Sequence, residues 1–166
     1  MNDIQIVPIA LEHIVGFQRC LDAVARERAY LLFVKAPPLS AVREFVQNNI
    51  EQKNPQLIAL HQGIVIGWCD ISPKTRPGLT HTGSLGIGVH QNFRGQGLGT
   101  RLMHETIAAA KAKGLERIEL EVFAPNQTAI ALYEKLGFQF EGIKKNGRKV
   151  DDRYEDIVMM ALWVGQ

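Results

Sequence analysis

The run from Leu85 to Met103, Leu-Gly-Ile-Gly-Val-His-Gln-Asn-Phe-Arg-Gly-Gln-Gly-Leu-Gly-Thr-Arg-Leu-Met, is where residue types and spacing combine into a site for anions. Gly95, Gly97 and Gly99 keep side chains off the backbone, so the amides of Arg94, Gly95, Gln96, Gly97, Leu98, Gly99 and Thr100 can converge on one ligand at a helix start. There the unpaired N–H donors and the helix dipole both favour negative charge. A pyrophosphate matches that geometry, and Arg94 adds a cationic fork suited to phosphate oxygens. The glycines read G-x-G-x-G rather than the G-x-G-x-x-G of a dinucleotide fingerprint, and no Gly-Lys-Ser/Thr closes a Walker loop. A glycine-rich connection without a ligand is the plain alternative.

A second stretch carries polar residues at regular places: Glu121 in Leu-Glu-Val, then Asn126, Ala129, Tyr133, Gly137 and Phe138. Taken singly they have ordinary explanations. Asn126 is a preferred helix N-cap, Tyr133 can be a core residue with a polar tip, and Glu119 and Glu121 alternate with Ile118, Leu120 and Val122 as on the solvated face of a strand. Together with the first stretch they form a pattern. Arg94-x-x-Gly97-x-Gly99 resembles the R/Q-x-x-G-x-G/A signature of the GNAT superfamily of N-acetyltransferases, and Asn126 to Phe138 fill that superfamily's N-x-x-A-x-x-x-Y-x-x-x-G-F series.

The resemblance runs over the whole chain and is strongest from about Gly83 to Gly142. It implies acetyl-CoA as cosubstrate and no metal, with the pyrophosphate on the glycine turn, Asn126 against the pantetheine arm and the Tyr133 hydroxyl near the thioester sulfur. It also implies that backbone N–H groups of Ile87, Gly88 and Val89 polarise the thioester carbonyl from a bulged strand, for which Gly86 and Gly88 leave room. Glu121 falls where the ribosomal-protein alanine acetyltransferases of the superfamily carry a base. Thr82 to Ile87 and the tail from Phe138 to Ala161 are similar to members that acetylate free amino acids or amino-acid-like compounds. A protein N-terminal or lysyl acetyltransferase and a non-catalytic acyl-CoA-binding module are the competing readings.

Proton chemistry explains why such groups would be needed. A thiol with a pKa of about 8.5 leaves more readily when a phenol of about 10 donates to it, and an ammonium of about 10.4 is neutral in only about one part in a few thousand at pH 7. Tyr133 fits the first task. Glu121 fits the second if burial raises its pKa, with His81, Asp70, Glu27 and Asp151 as substitutes.

The elements that must hold these residues follow from periodicity. Ile4, Ile6 and Ile9 give a first strand, short or at an edge because of Pro8; Ile14, Phe17, Leu21 and Val24 give a helix to about Arg28. Ser40 caps a second helix to about Lys53 with Val42, Phe45, Val46 and Ile50 inward. Gln62-Gly63 turns a hairpin of two strands, and a third strand from about His81 enters the glycine turn. Leu98 to Gly114 is helical, Arg117 to Phe123 a strand, and Asn126 to about Leu136 a helix stopped by Gly137. Two last strands flank a turn at Asn146-Gly147. The order β-α-α-β-β-β-α-β-α-β-β predicts an α/β fold, a mixed sheet covered by helices, like that of the GNAT proteins.

Composition bounds the rest. The 166 residues read as one domain, 1–166, able to bury about two thirds of its unfolded surface without disulfide or metal. A net charge of +2 gives no reason to expect nucleic acid or an anionic membrane as partner. With no basic-then-apolar leader and no apolar run of roughly 18 residues, a cytoplasmic protein is expected. Cys20 and Cys69, far apart and without ligand spacing, read as reduced structural thiols. The apolar final strand, Ile157 to Trp163, raises the expectation of a homodimer paired or packed across a two-fold axis.

Overall fold

In the computed structural model, which describes residues 3–166, the chain runs through β1 (Ile4–Pro8), α1 (Ile14–Ala25), α2 (Leu39–Glu51), β2 (Gln56–His61), β3 (Ile64–Pro73), β4 (Thr82–Val89), α3 (Leu98–Ala112), β5 (Arg117–Phe123), α4 (Gln127–Lys135), β6 (Gln139–Val150) and β7 (Arg153–Trp163). The order is the one the periodicity predicts. All seven strands join one sheet, β1-β2-β3-β4-β5-β7-β6, in which β4 and β5 are parallel and every other neighbouring pair is antiparallel. Parallel neighbours need a crossover, and α3 supplies it. On its face Leu98, Leu102 and Met103 pack with Cys69, Ile118 and Leu120 of the strands, and Tyr133 of α4 joins them. On the opposite face Phe17 and Leu21 of α1 and Val42 and Val46 of α2 pack on Ile58 and Trp68.

Local chemistry accounts for most boundaries. The β2–β3 turn holds both Gln62 (φ 50°) and Gly63 (φ 77°) in the left-handed region, as a two-residue hairpin requires. Gly137 (φ 93°) ends α4, and β1 is an edge strand with Pro8 at its last position. Cys20 and Cys69 are free and buried, and burial pushes the Cys20 thiol up to about 12 and the Cys69 thiol up as well. Among the described residues no helix is long and apolar enough to cross a membrane.

Four expectations are corrected. Helix α1 stops at Ala25, and Arg28 takes φ 58° outside it. Pro38 rather than Ser40 is the N-cap of α2, since its fixed extended backbone already breaks the helical path; Phe45 and Ile50 are 37% and 39% exposed, while Asn49 is buried and donates to Gln56 Oε1. The β6–β7 reversal is made by Asp151-Asp152 (φ 52° and 58°), not by Asn146-Gly147. The Asn-Gly pair sits instead at a register jump within β6, between Lys144 and Arg148, where a Cβ on Gly147 would stand 2.9 Å from the Ile157 side chain. Finally, β7 lies between β5 and β6 with Ile157, Val158, Met160 and Ala161 buried. From Ile157 to Ala161 its backbone is paired on both sides, so these residues are not a free edge for a second copy.

Candidate active site

The turn before α3 is built by conformation. Gly95 and Gly97 have φ 72° and 79°, with open space where each Cβ would be, and Gly97 is the left-handed N-cap of the helix. Among the described residues, none of the N–H groups of Gly95, Gln96, Gly97, Leu98, Gly99 and Thr100 donates to a protein acceptor; the first bond is from Arg101 N–H to Gly97 O, 3.1 Å. Six consecutive free donors at a helix start form an anion cradle. A Cβ on Gly99 would lie 3.6 Å from Leu132 and 3.9 Å from Ile87, so the cradle borders both α4 and β4.

Arg94 is placed otherwise than expected. Its guanidinium forks onto Glu27 (2.8 and 2.6 Å), its Nε donates to Val89 O (2.8 Å), and its plane lies 4.7 Å from the Tyr30 ring centre. The Glu27 pair holds its pKa above the usual arginine value. The side chain therefore ties the segment after α1 to the turn and is not free to meet a phosphate, and its own amide already faces Gln91 O at 3.4 Å. Glu27, with both oxygens on Arg94, is likewise removed as a free base.

Strands β4 and β5 part company next to this cradle. They pair only from Thr82/Arg117 to Ser84/Glu119, while β4 keeps an unbroken register with β3 from Gly83 to Val89. The expected irregularity is thus a splay from β5, with no bulge against β3. Ladder alternation decides which amides face the gap: His90 N–H bonds Ile66 O and Thr82 O accepts from Lys74 N–H, so even-numbered residues of β4 address β3. Ile87 and Val89 therefore present their N–H groups to the gap, and Gly88 does not. Gly88 has another reason to be glycine, because a Cβ there would sit 2.1 Å from the Trp68 ring.

A cleft of about 480 Å³ runs through the splay, lined among others by Gly86, Ile87, Glu121, Asn126, Tyr133 and Met159. Tyr133 is buried, and burial raises its pKa above the ordinary phenol value, which keeps the hydroxyl a donor. Asn126 caps α4, its Oδ1 accepting from Ala129 N–H at 3.2 Å, while its side-chain NH2 has no protein partner among the described residues. Cap and ligand contact are therefore compatible.

The candidate bases are scattered. Glu121 lines the cleft, yet its side chain is 41% exposed and ion-paired with Lys144, so the burial that its role as base needs is absent. Asp151 is in the β6–β7 turn, forked by Arg28, which holds its carboxyl below the usual range. His81 precedes β4 at the paired end of the β4–β5 ladder and borders neither the cleft nor its neighbouring cavity. Asp70 is partly buried and, among the described residues, has no ion pair: burial pushes its carboxyl up to about 7, and its cross-strand partner is Gly86 of the cleft wall. Sequence reasoning passed over Trp68. Its signal was the glycine pair two residues apart opposite Trp68-x-Asp70, visible only once the β3–β4 register is known.

A donor-lined helix start beside a splayed parallel pair, with a buried tyrosine across the gap, has the donors and the space that an acyl-CoA would need. The model of the Acetyltransferase (GNAT) family matches residues 22–138, and the chain belongs to that family. It is 36% identical over 107 residues to the L-amino acid N-acetyltransferase AaaT of Escherichia coli (strain K12), covering 64% of this chain and 66% of that protein. It is 41% identical over 76 residues to the ribosomal protein bS18-alanine N-acetyltransferase of the same organism, covering 46% of this chain and 51% of that one. These matches thus span about half to two thirds of the relatives' length. A GNAT-family acetyltransferase structure from Streptococcus pneumoniae superposes with a TM-score of 0.90 at 25% identity over 97% of this chain and 99% of that one. An acetyltransferase structure from Salmonella typhimurium with acetyl-CoA shares the fold, with a TM-score of 0.92 at 18% identity, over 99% and 96% of the two chains.

Proposed function

We propose that this chain transfers the acetyl group of acetyl-CoA to a primary amine of a small molecule, by direct attack inside the β4–β5 cleft. The observation that carries the reading is the run of six unpaired amides from Gly95 to Thr100 on the border of that cleft. Acetyl-CoA supplies an activated acyl group and a thiol that can leave. The amides from Gly95 to Thr100 hold its pyrophosphate, and the free NH2 of Asn126 hydrogen-bonds the polar arm. The Ile87 and Val89 N–H groups receive charge that develops on the carbonyl oxygen, because β5 no longer occupies them. Tyr133, kept protonated by its burial, gives its proton to the departing sulfur.

Similarity to AaaT supports an amino-acid-like acceptor. A second reading, acetylation of a protein N-terminus, draws on the similarity to the bS18-alanine enzyme. Release of free thiol from acetyl-CoA, measured over a panel of amines, amino acids and N-terminal peptides, separates the two. Release with small amines alone supports the first reading, and release with peptides alone supports the second. Binding of acetyl-CoA with no release for any acceptor would leave a binding module and defeat both.

A further inference from the structure

A second cavity of about 340 Å³ opens off the cleft, between α1, α2 and the β3–β4 ladder, and shares Leu31, Phe33, Gly86 and Ile87 with it. Its walls are Phe17 and Leu21 of α1, Ala41, Val42 and Phe45 of α2, and Trp68, whose ring meets Phe17 edge to face at 5.7 Å. The exposed rings of Phe33 and Phe45 form its rim, which is why Phe45 is not in the core. One ionisable side chain lines it, Asp70. Gly86 lies directly across from Asp70, and a Cβ there would touch Asp70 Oδ2 at 3.4 Å, so the carboxyl overlies the strand that borders both spaces.

Among the described residues no charge answers this carboxyl. Neither α1 nor α2 contributes a charged residue to the lining, β4 contributes Gly86 and Ile87, and the β2 residue opposite Asp70 is neutral Gln56. The adjacent Cys69 thiol belongs to the core on the other side of the sheet, and burial keeps it protonated. A carboxylate held in an apolar cavity without a partner is costly, and a cationic guest would relieve that cost. A guest carrying its own carboxylate would not, since among the described residues no cation lines the cavity to receive it.

We propose that the acceptor is an apolar primary amine without a carboxylate, about the size of a 2-arylethylamine, seated in this cavity with its nitrogen on Asp70, and that Asp70 is the base that takes its proton. This rests on the acetyl-transfer reading above but replaces its amino-acid-like acceptor with an amine that lacks the carboxylate. The ammonium gives one proton to Asp70, and the freed lone pair forms the N–C bond as the C–S bond breaks with its electrons on sulfur. Sulfur takes the Tyr133 proton. The second proton that nitrogen loses as the amide forms restores Tyr133, and the proton on Asp70 goes to solvent. Burial raises the Asp70 carboxyl to about 7, closer to the ammonium than an ordinary carboxylate stands, and the apolar walls disfavour the charged amine.

The test compares 2-phenylethylamine with L-phenylalanine, which differ by the carboxylate, in wild type, Asp70→Asn and Ala41→Trp. Wild type should favour the amine at least tenfold in kcat/KM, with an acid limb near pH 7 from Asp70 in the free enzyme. Asp70→Asn should lower kcat/KM at least a hundredfold at pH 7, abolish that limb, recover rate toward high pH and leave acetyl-CoA affinity by calorimetry unchanged. Ala41 is exposed, so Ala41→Trp should fold, fill the cavity and raise KM for 2-phenylethylamine at least tenfold. Preference for L-phenylalanine, an Asp70→Asn enzyme with the wild-type profile, or an unmoved KM in Ala41→Trp overturns the inference. L-phenylalanine turned over well with acetyl-CoA bound overturns it alone; no acetyl-CoA binding and no thiol release overturn the acetyl-transfer reading with it.

Discussion

The two sides of the β4–β5 cleft are made by different means. On the α3 side the site is backbone: left-handed glycines and unsatisfied amides at the head of a 15-residue helix, set by residues within one turn of each other. On the α1–α2 side the site is side chains brought together from five segments: α1, the Leu31–Phe33 bend, α2, β3 and β4. The first kind of site tolerates almost any neighbours and fixes what must be common to a family's cosubstrate. The second depends on register and helix packing, and each substitution there changes the guest.

That contrast can be broken at the backbone first. Gly97→Val forces a β-branched residue to φ 79°, and the helix head must move to relieve it. Acetyl-CoA affinity should fall below detection by calorimetry while circular dichroism keeps the wild-type spectrum; retained affinity in a folded protein would show that the cradle does not hold the pyrophosphate.

Tyr133→Phe keeps the ring in the core and deletes the donor. The expected loss is roughly ten- to a thousandfold in kcat, with acetyl-CoA affinity within about twofold. A fall in affinity of the same size as the fall in kcat would make Tyr133 a binding residue.

Asp70 sharpens the comparison through stability. Its folded pKa of about 7 exceeds the unfolded carboxylate value of about 3.9, so between those values the unfolded chain has released a proton that the folded chain still holds. Stability therefore declines as pH rises from 4 to 7 and stays lowered above it. Asp70→Asn, free of that term, should be more stable than wild type by roughly 4 kcal/mol at pH 8, with the gap closing by pH 4. Urea unfolding at the two pH values measures this, and a variant less stable at pH 8 would mean that Asp70 has a cationic partner in the fold.

The smallest effect is expected for Glu121→Gln. With its carboxylate half exposed and already paired with Lys144, the variant should keep kcat/KM within about twofold and the same pH–rate profile. Loss of an acid limb, with rescue at high pH, would return the role of base to Glu121.

From the sequence alone, the element order, the mixed α/β sheet, the β2–β3 hairpin and the glycine cradle were legible, because each depends on residues close in the chain: periodicity, capping and positive φ are local properties. Asn126 as cap and Tyr133 as an inward residue on α4 were legible for the same reason. Arg94 was not, since its partner Glu27 lies 67 residues away, and a free guanidinium and a paired one look alike in a motif. Neither was the β6–β7 turn, where Asn146-Gly147 carries the stronger local signal but β7 pairs past it to Asp151-Asp152. Tertiary structure alone decided which amides of β4 face the gap, why Gly88 must yield to Trp68, and that Asp70 rather than Glu121 is the more buried carboxylate and the one without an ion pair among the described residues. Burial and strand register are properties of pairs distant in sequence, and no window of the chain contains them.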